Sequence, residues 1–320
     1  MTPAALTARE TARSSVVIGT RGSTLALWQA EWVQARLKEL APDLSVSLQR
    51  IKTSGDKILD VPLAKIGGKG LFVKEIEEAL LRKEIDLAVH SMKDVPTVLP
   101  QGLALLCVPK REDPRDAFLS RTGLRFRDLP PGAKVGTSSL RRQAQLLSLR
   151  PDLRISMLRG NLDTRLRKLK EGEFDAIVLA AAGLKRLGWT DGVTEYLSAD
   201  TCVPAIGQGA LAIEGRVDDQ FIVNLLRPLE DRTTRVAVTA ERALLDRLEG
   251  GCQVPIAGHA RVEGDQVQLE ALVASVDGRE LIRDRLMGSV SEAQRVGQEL
   301  AARLLAKGGR AILSAIYGTT

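Results

Sequence analysis

Aromatic residues are scarce, at 3% of the 320 residues. Proteins that grip single-stranded nucleic acid stack its bases on aromatic rings, so the chain is poorly equipped for that task. Histidine occurs only as His90 and His259, and no His/Cys cluster has the spacing of a zinc site. Three cysteines, Cys107, Cys202 and Cys252, form an odd, widely spaced set without a CxxC. A disulfide framework is therefore not expected. No run of about 18 apolar residues is present to span a membrane. The N-terminal "MTPAALTARETARSS" lacks the long apolar core of a secretory signal. Residues 1–14 read as a disordered extension, and the cytoplasm as the compartment. A large charge imbalance is missing too. The 46 basic and 40 acidic side chains leave a net charge of +6, which suits anionic ligands and equally a solvated surface. Acids and bases are interleaved, as in "RKLKEGEFD", so no basic stripe for a nucleic acid is laid out.

What is present is an alternation of strand and helix patterns. "SVVIGT" (15–20) is a β-branched run. "STLALWQAEWVQARLKEL" repeats at helical spacing, with Leu25, Trp28, Trp32, Ala35 and Leu40 near one face. "SVSLQRI" alternates like a strand. After a polar, Gly-rich loop over 52–70, "FVKEIEEALLRKE" predicts a helix and "IDLAVH" a strand. The order then restarts, with "AKVGT", "LRISML" and "FDAIVLA" as strands around the helices "SSLRRQAQLLSL" and "NLDTRLRKLKEG". Such β-α-β-α-β order predicts mostly parallel sheets with helices on their faces. Two units of this kind predict an α/β fold of two lobes facing across a cleft, where open α/β sheets hold ligands. From about residue 231 the pattern changes. A long helix is followed by three alternating segments with turns at "EGDQ" and "VDGR". An amphipathic helix capped by Ser291 and stopped at the Gly308 pair closes the chain. This predicts a small α+β third domain with an antiparallel three-stranded sheet. Cys252 lies in its first loop.

Several loops offer chemistry. Arg21 and Ser23 sit on a strand-to-helix loop, where backbone amides and a guanidinium favour anions; an ordinary N-cap explains Ser23 equally well. Lys65 and Lys69 bracket Gly67 and Gly68 in a loop that suits a cationic lid or simple solvation. It is not a phosphate-binding P-loop, because the GxxxxGK[ST] spacing is absent. At the end of "LAVHSMKDVP" stand His90, Ser91, Lys93 and Asp94. Asp94 can serve as a general acid or stabilise a cation, while His90 fits a satisfied buried histidine better. Arg141 and Arg142 open one helix; Arg159 ends a strand and Arg165 follows it. Arginine suits planar carboxylates, so these junctions point to a ligand bearing several of them. A thiolate near arginines is nucleophilic, yet no Cys–His–Asn/Asp arrangement is evident, since His259 follows Cys252 too closely. Cys252 therefore reads as the carrier of a durable covalent group rather than as a hydrolase nucleophile.

Seven motifs in order, "TRGSTLALWQA", "KIGGKGLFVKEIE", "AVHSMKDVPT", "GTSSLRRQAQL", "LRGNLDTRL", "AIGQGALAIE" and "GGCQVPIAGHA", closely resemble the porphobilinogen deaminase (hydroxymethylbilane synthase) family. The resemblance runs from about Val16 to near the C-terminus. It implies two lobes like those of type II periplasmic binding proteins and a small third domain. The implied division is 15–109 with about 208–229, 110–207, and 230–320. It implies a dipyrromethane cofactor joined to Cys252 by a thioether, and porphobilinogen as substrate. Four units would be condensed head to tail on this primer with loss of ammonia, and water would then free hydroxymethylbilane. It implies Asp94 as the catalytic carboxylate and Lys65 and Lys69 on an active-site loop. Arg21, Ser23, Lys93, Ser139, Arg141, Arg142, Arg159 and Arg165 are implied to bind carboxylates of cofactor and substrate. Neither nucleic acid nor membrane is an expected partner, and a monomer is the expected state. Thr24 departs from a proline frequent in the family, and "IAGHA" from an "IGSYA"-like run. Cys107 and Cys202 read as structural. A periplasmic solute-binding protein shares the two-lobed pattern but needs neither Cys252 nor a third domain.

Overall fold

Alternating apolar runs and capped helices build three sheets. A computed structural model describes residues 13–57, 70–249 and 254–318. The chain begins with β1 (Ser15–Thr20), α1 (Thr24–Leu40), β2 (Ser45–Arg50), α2 (Ser54–Lys57), α3 (Lys74–Leu81), β3 (Leu87–Ser91) and β4 (Leu103–Cys107). It continues through β5 (Asp116–Ser120), β6 (Lys134–Gly136), α4 (Leu140–Leu149), β7 (Arg154–Ser156), α5 (Leu162–Lys170), β8 (Ala176–Ala180), α6 (Ala181–Leu187) and β9 (Glu195–Leu197). Then come β10 (Leu211–Arg216), α7 (Gln220–Leu226), α8 (Arg232–Arg247), β11 (Ile256–Glu263), β12 (Gln266–Ala274), β13 (Leu281–Ser289), α9 (Ala293–Leu304) and α10 (Arg310–Tyr317).

The first sheet has the order β2-β1-β3-β10-β4 and the second β7-β6-β8-β5-β9. In each, the parallel strands expected from the alternation lie together: β1 with β2 and β3, and β6 with β7 and β8. The late strand β10 enters the first sheet antiparallel between β3 and β4. The third sheet, β11-β12-β13, is antiparallel throughout. Two α/β lobes and a small α+β unit are thus present.

Local expectations fail in instructive places. The buried face of α1 is Gln29, Ala30, Val33 and Leu37, while Leu40 is 44% exposed. The tryptophans drew the expected stripe to one side. Leu25 instead turns toward the second lobe, close to Gly183. The short strands β4, β5 and β9 carry no helix-to-strand alternation to announce them. Ser291 does not cap α9, whose N-cap is Glu292 without a side-chain bond; Ser289 caps the short turn Val290–Glu292 before it, accepting from Ser291 N at 3.3 Å. Gly308, with φ at 110°, breaks the helix but does not end it, since α10 follows. Arg13, inside the presumed extension, is already anchored to Asp86 and Asp219.

Candidate active site between the lobes

Short side-chain caps fix the loops that carry the charged residues. Ser23 caps α1 by accepting from Ala26 N at 3.4 Å, and Arg21 directly follows the end of β1. The guanidinium of Arg21 rests 4.3 Å from the centroid of the Phe72 ring, a cation–π contact that orients it without neutralising it. β3 runs into a single tight turn, Met92–Asp94, which projects Lys93 and Asp94 from the strand's C-terminal end. In the second lobe Arg159 lies three residues beyond β7, whose pairing is shorter than its apolar pattern suggests. Gly160 then turns the chain at a φ of 107° into α5, and its carbonyl accepts from Arg165 Nε at 2.8 Å.

These ends converge. A cavity of about 780 Å³ is lined from the first lobe by Arg21, Ser23, Arg50, Lys52, Phe72, Ser91, Lys93 and Asp94. From the second lobe come Arg142, Arg159, Arg165 and Arg186. The lining residues follow β1, β2, β3, β7 and β8 or open the helices behind them, the location where open α/β sheets bind ligands. Asp94 is thus one carboxylate among several cations. Burial, foremost, lowers the pKa of Lys93; Asp94 opposes that effect and Arg142 adds to it. Burial, followed by repulsion from Arg142 and Arg159, brings Arg165 down to about 10. Burial does the same to Arg186, again to about 10. Arg165 and Arg186 remain charged at neutral pH, and an anion placed among these cations relieves their crowding. A ligand rich in carboxylates fits this donor set.

Two expected ligands stand elsewhere. Arg141 is 4% exposed and does not line the cavity. Its Nη1 donates to Asp116 Oδ2 at 2.8 Å and to the Val203 carbonyl at 2.7 Å. Ser139 caps α4, accepting from Arg142 N at 3.4 Å, and lies outside the lining. Arg142 has both roles: it faces the cavity while its Nη2 donates to Asp116 Oδ1 at 2.7 Å. Asp116 is fully buried and also accepts from Gln208 Nε2 at 3.0 Å and from Cys202 Sγ at 3.2 Å. The two arginines hold its carboxyl well below the usual range, although burial alone pushes it up. Cys202 is buried, free and pushed up to about 12 by that burial; Cys107 is also buried and free. Both occupy structural positions.

His90 is 5% exposed, with Nε2 3.1 Å from Glu214 Oε2, as a satisfied buried histidine should be. It also borders a cavity of about 70 Å³ with Arg21, Gln29, Ser91 and Asp94. There Gln29 Nε2 donates to Ser91 Oγ at 2.9 Å. Sequence reasoning missed Gln29, Arg50, Lys52, Phe72 and Arg186. Arg186 sits late in a short helix that followed a strand without a recognisable motif. Arg50 reads as the end of an ordinary strand and Lys52 as the start of the polar loop over 52–70. Lys65, Lys69 and Cys252 lie outside the described residues.

Comparison with known proteins decides the family. Residues 16–224 match the family model "Porphobilinogen deaminase, dipyromethane cofactor binding domain", and residues 235–306 match "Porphobilinogen deaminase, C-terminal domain". The chain belongs to the porphobilinogen deaminase family. The porphobilinogen deaminase of Trichlorobacter lovleyi is 61% identical over 300 residues, covering 94% of this chain and 96% of the relative. That of Pelobacter propionicus is 59% identical with the same coverage. The family's enzymes are transferases of tetrapyrrole biosynthesis, and the larger match is to the domain that binds their dipyrromethane cofactor. Among solved structures, the periplasmic aliphatic sulphonate binding protein of Escherichia coli is 14% identical with a TM-score of 0.40, covering 74% of this chain and 71% of that one. At that score the likeness decides nothing. Among the described residues no helix is long and apolar enough to cross a membrane.

Proposed function

We propose that the chain condenses porphobilinogen units head to tail on a dipyrromethane primer held by Cys252, releasing ammonia at each addition and finally hydroxymethylbilane. The observation that carries this reading is the cavity itself: the carboxylate of Asp94, at the end of β3, stands among lining cations, with Asp163 the other lining carboxylate, in a chain of this family. When bound, the cofactor supplies the pyrrole end that is extended. Arg21, Ser23, Lys93, Arg142, Arg159 and Arg165 would hold its carboxylates and those of the substrate, as guanidinium forks and ammonium groups do. Arg141 and Ser139 would act one step removed, through Asp116 and the start of α4.

The role of Asp94 follows from charge. Loss of ammonia from an aminomethyl pyrrole leaves an azafulvenium cation. A fixed carboxylate at the pyrrole N–H stabilises that charge and can take part in the proton transfers. Lys65 and Lys69 are proposed to contribute from the active-site loop. The domain division given above, a monomeric state and a cytoplasmic location complete the proposal.

The test is the intact mass of the purified protein before and after porphobilinogen, with Cys252→Ser alongside. The expected result is a preformed adduct that grows by porphobilinogen-derived units and is absent from the serine variant. No adduct and no growth, even after incubation with porphobilinogen, overturns the reading.

A further inference from the structure

The strand β2 ends in two cations whose place in the cavity needs a reason. Ile51, between them, continues the pairing with β1 through its amide, which donates to the Thr20 carbonyl at 2.8 Å, and it packs against the first-lobe core. Side chains alternate along an extended segment, so Arg50 and Lys52 leave on the side opposite Ile51. Both are exposed, and both line the cavity that holds Asp94.

Some exposed arginines elsewhere in this protein meet carboxylates. Arg82 lies 2.8 Å from Glu84, Arg167 2.6 Å from Glu171, and Arg295 2.8 Å from Glu292. Among the described residues neither Arg50 nor Lys52 has an ion-pair partner. They present unmatched positive charge to the open part of a cavity whose deeper cations are half-buried or buried. Those deeper cations are six: Arg21, Lys93, Arg142, Arg159, Arg165 and Arg186. Each pyrrole unit brings an acetate and a propionate. A primer of two units and one incoming unit bring six carboxylates between them, and Arg142 among these cations already meets Asp116. Every later unit adds negative charge that must be met further out.

We propose that Arg50 and Lys52 form an outer subsite that holds the carboxylates of the grown polypyrrole chain, and so sustain the late additions rather than the first. The proposal rests on the condensing function set out above. Two exposed ion pairs are together worth roughly a two- to thirtyfold effect, enough to change which step limits elongation.

The experiment follows the holoenzyme's intact mass over time at limiting porphobilinogen, in wild type, in the double variant Arg50→Gln/Lys52→Gln, and in the charge-keeping Arg50→Lys/Lys52→Arg. The ratio of the last-addition rate to the first should fall roughly threefold in the glutamine variant. Species with part-grown chains should accumulate, and the charge-keeping variant should behave like wild type. An unchanged ratio overturns the proposal. So does an equal slowing of every addition, which would make the pair a general attractor for the monomer. Equal loss in the charge-keeping variant overturns it as well, since shape and not charge would then matter. Wild type that elongates while the ratio stays fixed defeats this subsite alone. Wild type that never elongates defeats the functional reading with it.

Discussion

Asp94 and Lys93 are neighbours in sequence and opposites in charge, and the turn after β3 presents both to one cavity. Asp94 is half-buried and packs no core, so its removal should change chemistry rather than folding. Asp94→Ala is expected to keep the wild-type melting temperature within about 2 °C, the range of a surface change near 0.5 kcal/mol. Product formation should drop by at least a hundredfold, in line with the loss of a positioned acid–base or electrostatic group. Thermal melting and a product assay on the same preparation check both halves. Full activity in that variant would remove Asp94 from the mechanism.

Helices and hairpins here are placed by close backbone contacts. The β12–β13 turn carries Gly278 at a φ of 73°, and a Cβ built on it would lie 2.3 Å from the Ala144 carbonyl of α4. The third domain therefore touches the second lobe backbone to backbone, on the same helix that carries Arg141 and Arg142. Only glycine allows both the dihedral and the approach. Gly278→Ala should destabilise the protein by about 1–3 kcal/mol, the usual cost of left-handed strain with a clash added. Chemical denaturation is the measurement, and an unchanged midpoint would show that the turn can withdraw freely. The same close packing explains why α4 spends Arg141 inward. Its guanidinium and that of Arg142 compensate Asp116, a buried carboxylate that would otherwise be strongly unfavourable.

Across the whole molecule, Glu241 of α8 joins parts distant in the chain. Its carboxylate lies 2.6 Å from Arg111 Nη1 and accepts from Gly207 N at 2.6 Å and Ala260 N at 2.8 Å. It is fully buried, yet Arg111 and His259 hold its pKa at about 2 against that burial. A carboxyl depressed in the folded state stabilises above its unfolded value near 4.5 and loses that contribution as pH falls toward about 2. Glu241→Gln should cost about 3–5 kcal/mol at pH 7, because Arg111 is left buried without its partner charge. The gap to wild type should narrow as pH drops from 4.5 toward 2. Melting temperatures of both proteins across that range test it; a gap independent of pH would assign the cost to packing.

Much of this was legible in the sequence, and the reason is locality. The alternation of β1, α1 and β2, the cap Ser23, and the positions of Asp94 and Arg159 at element ends and of Arg165 in the first turn of α5 all follow from short-range periodicity and capping chemistry. The ordered motifs carried the family. What the sequence left open depended on partners far along the chain. That Arg141 faces Asp116 while Arg142 also reaches the cavity is set by the pairing of β5 beside β8, which no local pattern encodes. That Arg50, Lys52 and Arg186 reach the space around Asp94 was likewise decided by packing between lobes, whereas the return of β10 to the first lobe was already implied by the family resemblance. The sequence by itself determined which residues can bind carboxylates and which can handle a proton. The tertiary structure decided which of them share one cavity, because burial and ion pairing divide like residues between holding the fold and meeting a ligand.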